Sequence, residues 1–149
     1  MDFPPPTRDA YPVILPMTTR WRDNDVYGHM NNVVYYEYFD TAVNQWLAAS
    51  GALPVPKGPV VGLLAESACR FLKAVGFPER LEIGLSTLRV GRSSVTYGLA
   101  MFRIGEDAPA ALCRYVHVYV GAEDHRPTAI PDAMREKLGA LTPAKVAKT

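Results

Sequence analysis

Five polar side chains crowd the segment RWRDNDVYGHMNNVVYYEYF: Asp23, Asp25, His29, Asn31 and Asn32 fall within ten positions. Carboxylates and an imidazole can ligate a metal or move protons. Asparagines cap helices and brace loops. Three chemistries compete. Asp23, Asp25 and His29 would form a metal site, but Asn is a poor ligand and no second His or Cys cluster supports one. A structural loop would use the aspartates as caps and His29 as a local hydrogen-bonding group. A catalytic loop would use a helix start, whose unpaired amides and partial positive charge hold an oxyanion. A carboxylate a few residues upstream would face the same point, and a polarised carbonyl opposite a carboxylate suits acyl transfer.

The elements on either side must position these groups. VILPMTTRWR is rich in β-branched and aromatic residues and is expected to be a strand. From Asn32 to Ser50 the period becomes helical. Tyr35, Tyr38, Phe39, Ala42, Val43, Trp46 and Leu47 share one face, with Asn31 or Asn32 at the start and Gly51 past the end. Four segments of period two follow, around Val61–Phe71, Leu81–Leu85, Val95–Met101 and Leu112–Val120, separated by VGFPE, VGRSS and IGEDAP. Such short breaks favour antiparallel pairing. IPDAMREKLG ends the pattern as a short helix. The order implies an α+β fold, one long helix on an antiparallel sheet.

DNDVYGHMNNVVYYEYFDTA resembles the signature of the 4-hydroxybenzoyl-CoA thioesterase family, among the hotdog-fold acyl-CoA thioesterases. The pattern is D-x-D-x-x-G-H-x-N-N-x-x-Y. ACRFLKAVGFPERLEIGLSTLRVGRSSVTY is similar to the family's strand, turn, strand and Gly-x-Ser-Ser turn, so the likeness runs from about residue 17 to 140. Ala74 departs from it, standing where relatives often have Pro. The resemblance implies a hotdog fold, with an antiparallel sheet wrapped around a long central helix. It implies Asp25 as general base or nucleophile, and Asn32 as donor of the backbone amide that polarises the thioester carbonyl. His29 aligns with a catalytic histidine of plant acyl-carrier thioesterases, which have Asn where this chain has Tyr27. Gly28, Asn31, Tyr35, Glu66 and Arg92 are expected around the substrate: Gly28 for close approach, Asn31 as a brace, Tyr35 and Glu66 as lining, and Arg92 with Arg89 toward the CoA phosphates. Asp23 is expected to be a structural partner of Arg20 or Arg22.

The whole-chain numbers agree with this assignment. The 149 residues suit one domain over 1–149, with an extended arm at 1–12 and a tail at 141–149. A net charge of +1 without a basic block argues against nucleic acid as a partner. PVVGLLA is far shorter than the ~20 residues that span a bilayer. MDFPPPTRDAYP has neither a basic nor an apolar leader region. Cys69 and Cys113 lie far apart in apolar segments and suit a reducing compartment, so a cytoplasmic location is expected. No metal or redox cofactor is expected, CoA being carried by the substrate. The resemblance implies a homodimer or homotetramer with sites at the interface. Two other functions remain open at this level: an acyl-thioester dehydratase or hydratase of the same fold, and a non-catalytic acyl-CoA or acyl-carrier binding protein.

Overall fold

A computed structural model describes residues 2–54 and 57–143. Asn31 caps the long helix α1, Asn32–Ser50, by accepting the Val33 amide. Gly51 closes it in the left-handed conformation at φ +67°. The helical stripe read from the sequence is the buried one: Tyr35, Tyr38, Phe39, Ala42, Val43 and Leu47 are covered. Trp46, expected on the same face, is only partly covered and stands edge-on to Tyr97.

Five antiparallel strands carry the other half of the core: β1 Val13–Thr18, β2 Val60–Phe71, β3 Arg80–Val90, β4 Ser94–Arg103 and β5 Ala111–Gly121. Their order in the sheet is β1-β3-β4-β5-β2, so β2 and β1 are the edges. The first strand stops at Thr18 instead of running to Arg22. Asp23 draws Arg20 into a 3₁₀ turn over Trp21–Asp23, which bends the chain toward the helix. Both faces of β5 are apolar, so alternation alone leaves its inward face open. Pairing of Tyr97 with Tyr115 and of Leu99 with Cys113 turns the Cys113, Tyr115, His117 and Tyr119 side toward α1. The sheet curls around the helix as a hotdog fold.

The outer face of the sheet receives the N-terminal arm. Tyr11 packs edge-on against Phe102 and donates its hydroxyl hydrogen to the Pro5 carbonyl, while Arg70 lies over Phe3. The short helix α2, Asp132–Gly139, buries Met134 and Leu138. Pro131 occupies its N-cap and Gly139 its last position. The segment assigned to a tail begins in the core: Leu141 is buried and its carbonyl accepts the Thr87 amide, while 144–149 lie outside the described residues. No described helix is long and apolar enough to cross a membrane.

Candidate active site

Asp23 is the fixed point of the loop. Its carboxylate is fully buried and accepts the Arg20 amide at 2.7 Å, the Arg20 guanidinium at 2.9 and 3.0 Å, and the Tyr38 hydroxyl. Glu37 holds the other side of the same guanidinium. Burial pushes the Asp23 carboxyl up, but the bonds from Tyr38 and Arg20 outweigh it and hold the group below its usual range. The charge therefore ties the 3₁₀ turn to α1. Both oxygens are engaged, so Asp23 is a structural partner of Arg20 and is not free for a metal. Among the described residues no three His, Cys, Asp or Glu side chains are grouped to hold one.

Asp25 sits in a closed ring of chain. Its amide donates to the His29 carbonyl at 3.0 Å, and its own carbonyl accepts the Gly28 amide at 3.0 Å. Gly28 makes this return at φ +85°, a conformation that side chains disfavour. The Met30 amide reaches the Val75 carbonyl at 2.8 Å, and the Asn31 amide reaches the Asp23 carbonyl at 2.9 Å. The Asp25 carboxylate is half-buried. One oxygen accepts the Tyr27 amide at 2.9 Å and the other accepts Asn31 Nδ2 at 3.2 Å. Asn31 Oδ1 meanwhile accepts the Val33 amide at 2.9 Å. One side chain thus fixes both the carboxylate and the helix start.

Asn32 is the first residue of the 19-residue helix. The next two amides, of Val33 and Val34, go to the Asn31 side chain and carbonyl, whereas the Asn32 amide meets no acceptor among the described residues. It is a free donor at the positive end of the helix. A cleft of about 320 Å³ opens beside it, lined by His29, Met30, Asn32 and Tyr35 and by Phe71–Ala74 at the end of β2. Asp25 adjoins the cleft without lining it.

The other expected site residues divide. Exposed His29 and buried Tyr35 face the cleft, and Tyr35 packs on Phe71 at 5.0 Å. Asn31 is a clamp as well as a cap. Glu66 is not brought to the cleft. It pairs with Arg114 on the outer face, while Ser67 beside it faces α1. Arg92 is exposed in the β3–β4 turn. That turn lies at the Val90–Val95 end of the sheet, about 30 Å by strand rise from the Leu81–Arg103 end near the loop. Within one chain Arg92 does not line the cleft at Asn32. Phe71, Leu72 and Lys73 were not expected at the site, and Ala74 was noted only as a departure from the family pattern. Their signal was the strand end before VGFPE, the turn that supplies the Val75 carbonyl.

A model of the thioesterase-like superfamily matches residues 19–138. The chain belongs to this superfamily. The crystal structure of the PA5185 protein from Pseudomonas aeruginosa strain PAO1 is 47% identical, with a TM-score of 0.90 over 93% of this chain and 97% of that one. A thioesterase from Thermus thermophilus, crystallised with coenzyme A and zinc, is 27% identical over 92% of this chain and 98% of its own, with a TM-score of 0.71. The uncharacterised protein YsmA of Bacillus subtilis (strain 168) is 27% identical over 125 residues, 82% of each chain. For this member of the superfamily, thioester hydrolysis is the chemistry against which the loop geometry has to be judged.

Proposed function

We propose that the chain hydrolyses acyl-CoA thioesters to a carboxylic acid and CoA, with Asp25 and the Asn32 amide as its working groups. The observation that carries this reading is the Asn31 clamp, which holds a half-buried carboxylate beside a free amide at a helix start. The thioester carbonyl oxygen accepts the Asn32 amide, and the helix end stabilises the negative charge that develops there. Asp25 takes a proton from water as the water oxygen bonds to the carbonyl carbon. The tetrahedral centre then collapses, the carbon–sulfur bond breaks, and the proton leaves with the CoA thiolate. Direct attack by Asp25 would give an anhydride that water opens, using the same carboxylate. His29, at the cleft, is placed to contact substrate. The step needs no metal.

The loop is capped by uncovered apolar groups. Val26, Tyr27 and Val33 are 94%, 84% and 68% exposed. A second copy over this surface and the β2 edge would close the site, which supports a dimer. A cytoplasmic location accords with the two free thiols. Thiol release from a panel of acyl-CoAs tests the reading: turnover of at least one ester is expected, and none across aromatic and fatty esters would contradict it.

A further inference from the structure

Cys69 and Cys113, far apart in the chain, stand directly opposite each other where β2 pairs with β5. The phase of the ladder is fixed from both sides. The Leu72 amide bonds the Ala110 carbonyl at 2.8 Å, so the bonded pairs of β2 and β5 alternate to Arg70–Leu112 and Ala68–Arg114. The Tyr119 amide bonds the Ser93 carbonyl at 2.7 Å, so by the same alternation the backbone groups of Cys113 turn to Leu99 on β4. Cys69–Cys113 is therefore a non-hydrogen-bonded pair, the type whose Cα atoms stand about 4.5 Å apart with their side chains close. A disulfide accepts Cα separations of roughly 4.4–6.8 Å.

Both side chains leave the sheet on the face toward α1. Both thiols are free; Cys113 is fully buried, and Cys69 is half-buried against the core. The neighbouring Cys113 thiol lowers the pKa of Cys69. Burial opposes this and the Tyr36 hydroxyl on α1 adds to it, leaving Cys69 below the usual thiol range. Cys69 and burial together push Cys113 up. The pair thus divides into a partly open sulfur that ionises more readily and a sealed sulfur that stays protonated. Such a division separates an attacking thiol from a resolving one. Neither sulfur lines the cleft at Asn32, and the proposed hydrolysis uses neither.

We propose that Cys69 and Cys113 are a peroxide-responsive pair that closes a disulfide between β2 and β5. The Cys69 thiolate attacks one oxygen of hydrogen peroxide, the O–O bond breaks, and the released hydroxide takes a proton to leave as water. Cys69 is then a sulfenic acid. The Cys113 sulfur bonds to the Cys69 sulfur, the S–O bond breaks, and the Cys113 proton leaves with the hydroxide as a second water. Two thiols are oxidised and one peroxide is reduced. The bond ties down the edge strand two residues before Phe71, which walls the cleft and packs on Tyr35. The inference does not depend on the thioesterase reading.

The test uses the full chain, reduced with dithiothreitol and then freed of it. The protein is treated with a few equivalents of hydrogen peroxide, quenched with catalase, denatured and alkylated with iodoacetamide. Peptide mapping by mass spectrometry should show a Cys69–Cys113 cross-link, with neither thiol alkylated until dithiothreitol is added. The bond closes a loop of about 45 residues, so Tm should rise by at least about 5 °C and fall back on reduction. In Cys113→Ala, dimedone should trap a sulfenic acid on Cys69, and peroxide should not raise Tm. The wild type decides the matter by itself if that variant does not fold. Two alkylated thiols per chain after peroxide would overturn the proposal. So would a sulfinic acid on Cys69 with Cys113 still free, or a disulfide that joins two chains.

Discussion

Asn31 joins two functions in one amide, since its oxygen caps α1 while its nitrogen holds Asp25. The two are separable by substitution. Asn31→Ala loses both and should cost about 1 kcal/mol of stability as well as activity. Asn31→Asp keeps a capping oxygen but replaces the donor to Asp25 with a second carboxylate. It should unfold near the wild-type temperature yet lose about 10²-fold in kcat, the scale of a misplaced catalytic group. Thermal unfolding and thiol release on both variants check this; full activity in Asn31→Asp would leave the residue as a cap alone. The family resemblance, rather than spacing alone, singled out Asp25, His29 and Asn32, which the fold sets in one loop at the start of α1. It did not reveal which way the Asn31 amide faces, since a cap, a brace and a substrate contact look alike in a string of letters. Glu66 and Arg92 lie away from the cleft within one chain for a related reason. A β-bulge between Leu64 and Glu66 shifts the strand register, and Arg92 is separated from the loop by the length of the sheet.

At the scale of elements, α1 was legible from end to end because its caps and its 3.6-residue stripe agree. The inward face of β5 was not, because valines alternate with tyrosines and both bury well. That choice puts His117 inside, with a consequence for pH. In the unfolded chain His117 titrates near its ordinary value of 6.5, whereas in the fold burial lowers it to about 4. Between these values only the unfolded chain takes the proton, so stability falls as pH drops from 6.5 and the loss is complete below about 4. The loss is at most roughly 3 kcal/mol. Asp23 does not act in that window, because its lowered carboxyl gives up stability only under more acid conditions. Urea unfolding from pH 6.5 to 4 should therefore show a steeper loss in the wild type than in His117→Phe. Parallel curves would mean that His117 is not buried neutral.

The whole molecule presents one long open edge. Among the described residues β2, 12 residues long, pairs only with β5, and Leu63, Leu64 and Phe71 on it and Leu72 just past it are nearly half exposed. The opposite edge is shorter and carries Pro16, which cannot donate to a partner strand. An exposed apolar edge invites pairing, so light scattering should give at least twice the 16.4 kDa of one chain. A monomer that hydrolyses acyl-CoA at full rate would show that the edge and the exposed loop need no cover. The role of Asp25 is tested most directly by kcat for thiol release from a competent acyl-CoA in the wild type and in Asp25→Asn. Asn keeps the shape and caps a helix as well as Asp does, but it accepts no proton and forms no anhydride. The account predicts a fall of at least about 10²-fold with folding intact; near-normal turnover would contradict it and return the loop to a structural role.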